Sequence, residues 1–482
     1  MSSENTNFYI TTTLPYINSE PHIGFAAEII KADVIARYQA QRGSKVFFNT
    51  GTDEHGLKIY QKAVEFNIPV QEYCDIYSAK FLPLKEKLNL SYNKFIRTTD
   101  SRHEAAAQEF WRRCLASGDI YKKQYCVKYC VGCELEKTDS ELINGRCPLH
   151  PNRELEIIEE ENYFFRYSKY QEKLLELYEN NKKFVCPASR LKEIRTFVES
   201  GLQDFSISRL KKKMPHGISV PGDESQVMYV WFDALVNYIS TLGWPDDSSD
   251  FNNFWPGIQV CGKDNLRPQA AMWQAMLMSA GLPNSRQILV FGFLTANGQK
   301  MSKSLGNTID PYDLSDRYGA DPVRYYLLAE IPPFEDGDYS EDKFHDRYNA
   351  DLANGLGNLV SRVSNLLDKN EIETALEVNL NCPDFRKTHE DFENKMINYY
   401  FNEALQAIWE KIKECDETLT RTAPWKLSHK KEIADVLIPI AQTILNLAYL
   451  LEPFLPESSS KIQKQFTSKQ IKKSEGLFPR LA

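Results

Sequence analysis

The chain has 482 residues, 42% of them hydrophobic and 26% charged, and carries a formal net charge of −8. That length exceeds one ordinary core and implies about three or more domains, and the acidic balance excludes a protein that is basic overall, so any nucleic-acid contact must rest on local basic patches. The opening Met1 to Asn7 is polar and unlike a signal peptide, and no run of about 18 apolar residues occurs, so a cytoplasmic protein without a membrane span is expected.

Phe8 to Thr13 is a β-branched and aromatic run that reads as a buried strand. A turn through Pro15, Asn18 and Pro21 follows, then a helical pattern from His22 to about Gln41. In this strand-loop-helix unit the helix start would aim free backbone N–H groups and its positive dipole end at a phosphate. Gly24, lacking a Cβ, would let adenine lie against the backbone. His22 would add a side-chain donor, helix capping being its alternative role. A second strand, Lys45 to Thr50, runs into Gly51-Thr52-Asp53-Glu54-His55-Gly56, which sets polar groups at a strand's carboxyl end, where ligands sit in open parallel sheets. Asp53 could pair with a substrate ammonium or cap a helix.

Ten cysteines are unevenly spread. Cys130-x2-Cys133, then 13 residues, then Cys147-x2-His150 offers three thiolates and an imidazole in two tight turns, the ligand set of a tetrahedral structural zinc site. All four positions are filled, so the metal should stabilise an insertion rather than perform chemistry. Cys126 falls outside the pattern. Farther on, Trp231, Leu235 and Tyr238 share helical spacing and could form a core stripe. The run Lys300-Met301-Ser302-Lys303-Ser304 combines two ammonium groups and hydroxyls beside Gly306, a composition suited to gripping a triphosphate whose charge shifts during reaction. From Asn349 onward Leu352, Leu356, Leu359, Val363, Leu366 and Leu367 recur at helical spacing, which fits a helix bundle.

Pro21-His22-Ile23-Gly24, Thr50 to Gly56, Cys130 to Cys133, Tyr229 to Ile239, Gly262 to Asp264 and Lys300 to Ser304 occur together and in this order. In combination they resemble the methionyl-tRNA synthetases, class I aminoacyl-tRNA synthetases, of the bacterial type with one zinc knuckle. The resemblance implies an α/β fold: a Rossmann-like parallel sheet with a zinc-knuckle connective insertion, followed by an all-α anticodon-binding helix bundle. The corresponding segments are residues 1–119 and 225–292 for the two catalytic halves, 120–224 for the insertion, 293–348 for the KMSKS loop and stem-contact region, and 349–482 for the bundle.

The implied activity is methionine--tRNA ligation: L-methionine and ATP, with Mg²⁺, give methionyl-adenylate and pyrophosphate, and the amino acid then passes to the terminal adenosine of initiator and elongator methionine tRNA. By the same resemblance, His22, Gly24, Lys300, Ser302 and Lys303 bind ATP, with His22, Lys300 and Lys303 acting on its phosphates. Tyr16, Asp53, Val230, Trp231, Ala234, Tyr238, Asp264 and Gln269 form the substrate pocket, and Asn358, Arg362 and Trp425 read the anticodon. A monomer holding one structural Zn²⁺ is expected. Two positions depart from the family pattern: Phe25 replaces the second histidine of the first signature, and Pro268-Gln269 replaces a Phe-His pair. They motivate one alternative, a catalytically silent tRNA-binding paralogue; Asn358, Arg362 and Trp425 argue against the other, a small-molecule adenylyltransferase of the same superfamily.

Overall fold

Strand β1 (Asn7–Thr12) has five buried residues in a row, the signature of a strand covered on both faces. In a computed structural model that describes residues 6–133, 135–137, 139–300 and 307–481, it lies within a six-stranded sheet. β1 pairs in parallel with β2 (Lys45–Thr52) on one side and with the strand Ile258–Gly262 on the other. Beyond β2 lies β3 (Lys94–Arg97), also parallel; beyond Ile258–Gly262 lie Gln287–Phe291 and Val185–Cys186. The strands that follow β1 directly thus lie on one side of it and the later strands on the other. The carboxyl end of β1 is the topological switch point at which open α/β sheets bind ligands.

Two compact units are formed. The first takes the residues up to Pro21, Ser44–Pro83 and Tyr92–Val290; the second takes His22–Gly43, Leu84–Ser91 and the residues from Phe291 onward. In the first, β4 (Ile120–Cys130) pairs antiparallel with Glu156–Phe165, from Ile120 opposite Phe165 to Tyr129 opposite Glu156, so the insertion is a long ribbon with Cys130 at its tip. In the second, helix α1 (Ile23–Gln41) buries Asp33 completely, and Arg324 of the helix Ala320–Ala329 pairs with it at 2.8 Å.

The C-terminal region of the second unit is helical, as its apolar spacing predicts: Leu352, Leu356, Leu359, Val363 and Leu367 are buried, and Leu366 is half-buried. Among the described residues one helix, Lys430–Leu451, is long and apolar enough to cross a membrane, but 56% of its most apolar window is buried inside the structure. Helix Phe401–Thr422 and helix Pro456–Phe466 both pack against it.

Candidate active site

At the switch point the loop after β1 and the end of β2 are joined by backbone bonds: Asp53 N–H donates to Pro15 C=O at 3.0 Å and Ile17 N–H to Asp53 C=O at 3.3 Å, which places Tyr16 beside Asp53. Both side chains belong to the predicted pocket, and Asp53 is only 4% exposed. The approach to Asp53 demands a glycine. A Cβ on Gly51 would stand 1.8 Å from the Ile96 carbonyl oxygen of β3.

The next two residues are held by groups that the sequence reading did not connect. Glu54, fully buried, accepts from Arg97 Nε at 2.7 Å, Arg97 Nη2 at 2.8 Å and the hydroxyls of Thr52 and Thr99 at 2.6 Å each. His55 Nδ1 lies 2.6 Å from Asp233 Oδ2, and His103 Nε2 lies 2.8 Å from Asp233 Oδ1. Burial pushes the Asp233 carboxyl up, but the His55 charge and both hydrogen bonds prevail and hold it at about 2. Burial likewise opposes charge on His55, yet the Asp233 carboxylate raises its pKa above the ordinary histidine value. Against it, 4.9 Å away, the His216 ring is depressed to about 4 by burial and by His55, and its Nε2 lies 2.8 Å from the Glu54 carbonyl oxygen.

Of the predicted pocket residues, Val230, Ala234 and Tyr238 are buried, and Trp231 packs half-buried against the main core with its indole N–H enclosed and making no hydrogen bond among the described residues. Leu235 is buried too, as the core-stripe reading of this segment expects. Gln269 is 1% exposed; its amide nitrogen donates to the Tyr238 hydroxyl and its oxygen accepts from Gln259 at 2.9 Å. One of the two N–H groups of the Gln269 amide is thus engaged with Tyr238. Asp264 is exposed just past the strand Ile258–Gly262, at the same sheet edge as Asp53.

The first turn of α1 corrects one expectation. Its N–H groups are not free for a phosphate: Ile23 donates to Ile309 C=O at 2.9 Å, Gly24 to His22 Nδ1 at 3.1 Å, and Phe25 and Ala26 to His22 C=O at 3.0 and 3.2 Å. His22 is the cap. The capping and donor roles are compatible, because a neutral imidazole that accepts at Nδ1 carries its proton on Nε2. Lys300 lies in the short strand Gln299–Lys300. Ser302 and Lys303 fall outside the described residues.

Cys130, Cys133, Cys147 and His150 converge, with all four ligand atoms within 4.8 Å of one another. Cys133 Sγ is 3.4 Å from Cys147 Sγ, and His150 Nδ1 is 3.2 Å from Cys133 Sγ and 3.8 Å from Cys130 Sγ. A tetrahedral metal with bonds of about 2.3 Å to sulfur needs ligand separations of about 3.8 Å, so the cluster fits a metal after small inward or outward shifts. Gly132 is obligatory here too: a Cβ would stand 2.4 Å from the His150 ring. Two cations tie this knuckle to the pocket. Lys58 donates to Gly132 C=O at 2.8 Å with its ammonium 5.5 Å from the Tyr16 ring centre, and Arg209 lies between the rings of Tyr129 and Tyr229 at 5.2 and 4.6 Å.

In the helical region, Asn358 and Arg362 open the helix Asn358–Lys369 on one face. Asn358 is exposed; Arg362 pairs with Asp416 at 2.7 Å and lies 5.6 Å from the ring centre of Trp425, which is 49% exposed. Trp425 is therefore no core residue. A cavity of about 790 Å³ extends from Arg362 and Asp416 past Lys413 and Arg421.

The profile of the family described as tRNA synthetases class I (M) matches residues 8–156 and 138–364. The chain is 42% identical over 475 residues to the methionine--tRNA ligase of a Nostoc species, covering 95% of this chain and 89% of that protein. It is 43% identical to that of Thermosynechococcus vestitus, covering 95% and 90%. Among solved structures it superposes on Mycobacterium tuberculosis methionyl-tRNA synthetase in complex with methionyl-adenylate with a TM-score of 0.92 and 36% identity, covering 98% of this chain and all of that one.

Proposed function

The chain belongs to the methionine--tRNA ligases among the class I tRNA synthetases, and we infer from this that it activates L-methionine with ATP and transfers it to methionine tRNA. The chain-long likeness to methionine--tRNA ligases carries this reading. The silent-paralogue and small-molecule alternatives are not favoured by it.

In the first step an oxygen of the methionine carboxylate attacks the α-phosphorus of ATP, the bond to the β-phosphate oxygen breaks and pyrophosphate leaves. No general base is needed, because the carboxylate is already ionised, and positioning and charge stabilisation supply most of the acceleration. We assign the methionine ammonium to Asp53 and its side chain to Tyr16, Val230, Trp231, Ala234 and Tyr238, whose aromatic faces suit a polarisable thioether. Gln269 orients Tyr238 through its amide. His22 Nε2, Lys300, Ser302 and Lys303 are assigned to the phosphates, with Gly24 and Asp264 at the nucleotide and substrate; Mg²⁺ accompanies ATP as part of the substrate. In the second step the 2′-hydroxyl of the terminal adenosine attacks the carbonyl carbon of the adenylate and AMP leaves.

Zinc is the metal proposed for Cys130, Cys133, Cys147 and His150, where it would fold the knuckle and leave no open position for chemistry. Asn358, Arg362 and Trp425 are proposed to read the anticodon of initiator and elongator tRNA. Base stacking on Trp425 is worth about 1–3 kcal/mol. A cytoplasmic monomer and the segment boundaries given above complete the proposal.

Methionine-dependent exchange of labelled pyrophosphate into ATP tests it, with leucine and homocysteine as comparison substrates. Exchange with methionine that is abolished by Lys303→Ala is expected. No exchange from folded, metal-loaded protein would overturn the ligase reading in favour of the silent tRNA-binding one. Trp425→Ala should lower tRNA charging about tenfold or more at limiting tRNA while leaving exchange intact; an equal loss in both would remove Trp425 from the anticodon site.

A further inference from the structure

Asp233 has no place in the activation chemistry, yet it is completely buried and both its oxygens are taken by histidines. It stands two residues after Trp231, in the helix Val230–Ala234, and His55 stands two residues after Asp53, just past the end of β2. The 2.6 Å contact between them therefore joins the element that carries the pocket aromatic to the loop that carries the proposed ammonium ligand. Other bonds brace it: His103 Nδ1 meets Ser240 Oγ at 2.9 Å, and Asn49 of β2 accepts from Thr241 at 2.8 Å.

We propose that Asp233 and His55 are positioning residues, an ion pair that fixes the distance between Asp53 and Trp231 and so sets recognition of the amino-acid substrate. The inference rests on the methionine-activation reading. A buried ion pair is weak evidence for stability, because an apolar pair of similar volume often serves the fold equally well. An ionised pair does supply a short, directional link, and it bridges 178 residues of sequence at the candidate pocket. Among the described residues, the groups that face His55 include Asp233, the neutral His216 ring, and Glu54 and Glu104 at longer range; those that face Asp233 include His55, His103 and, at longer range, His216. The Asp233 carboxylate raises the His55 pKa above the ordinary histidine value, so the pair favours the imidazolium.

The test is steady-state pyrophosphate exchange by the full chain carrying Asp233→Asn, His55→Gln or His103→Gln, with separate titrations of methionine and ATP. Asp233→Asn and His55→Gln should raise KM for methionine about tenfold or more, with KM for ATP and kcat moving by less than about threefold. His103→Gln, which leaves the short contact in place, should shift KM for methionine less than His55→Gln. In Asp233→Asn, which removes the carboxylate that raises the His55 pKa, any rise of KM for methionine with pH should begin at lower pH than in the parent. Equal rises in both KM values, or an unchanged methionine KM in folded His55→Gln, would overturn the pairing role. If Asp233→Asn fails to fold, His55→Gln still decides the question. Absence of exchange in the parent would count against the proposed function instead; methionine binding followed by tryptophan fluorescence in parent and His55→Gln would then still test the pair.

Discussion

Replacing Arg324 by methionine removes a charge from a fully buried position while keeping most of the side-chain length. In the parent, Arg324 pairs with Asp33 of α1 at 2.8 Å and donates to the carbonyls of Phe454 and Pro453 at 2.8 Å each and of Leu88 at 3.2 Å. Breaking one side of a buried ion pair costs about 3–5 kcal/mol, and an abandoned buried carbonyl costs about 1–3 kcal/mol. Asp33 keeps Arg37 at 2.8 Å and both the N–H and the hydroxyl of Ser91 at 2.5 and 2.6 Å, which offsets part of the first cost. A net loss of at least about 3 kcal/mol remains. Hydrogen exchange of the α1 amides and urea unfolding at neutral pH should both report it.

The pH dependence has a definite sign. Burial raises the Asp33 carboxyl, but Arg324, Arg37 and Ser91 together hold it below its ordinary value. Its stabilising contribution is therefore present above the ordinary carboxylate range and lost as pH falls through the depressed one. Without Arg324 that contribution shrinks, so the gap between parent and variant should narrow on acidification. Because α1 begins at the His22 cap, KM for ATP should also rise. A loss below about 1 kcal/mol with unchanged α1 exchange would refute the reasoning, since a buried carboxylate that loses one of its two arginines and the carbonyls abandoned with it cannot be that cheap.

Gly51→Ala should lower stability by about 3 kcal/mol or more and raise KM for methionine, because its Cβ, 1.8 Å from a backbone oxygen, can be relieved only by parting β2 from β3 two residues before Asp53; a melting temperature equal to the parent's would contradict the register. Cys147→Ser, or chelation of the parent, should release bound metal and loosen the insertion ribbon, as read by metal content and by exchange of the Ile120–Cys130 amides; equal metal content in mutant and parent would dismiss the cluster. His216 stays neutral when folded, its pKa lowered from 6.5 to about 4. Unfolding therefore takes up a proton between those values, and stability should fall by about 3 kcal/mol as pH drops through that window. His216→Gln should flatten this slope in urea titrations at pH 4 to 7, and an unchanged slope would assign it to other groups.

Much of the fold was legible because its signals are local. Strand, turn and helix around Phe8 to Gln41 follow from β-branching, proline and apolar period, and the observed elements agree within a residue. The paired two-residue gaps of Cys130, Cys133, Cys147 and His150 fix a ligand set before any folding is known, and the ribbon brings the four atoms together. The helical spacing from Leu352 to Leu367 likewise predicts which side chains are buried. Sequence could not say how long-range partners would be chosen. That His55 meets Asp233, that the Gln269 amide donates to Tyr238, that the first N–H groups of α1 are already satisfied, and that Trp425 is exposed beside Arg362 are all decided between residues far apart in the chain or by packing around them. Residue type and spacing determine what a segment can offer; which donor finds which acceptor in a dry interior depends on the three-dimensional competition for every buried polar group, and only the tertiary structure resolves that competition.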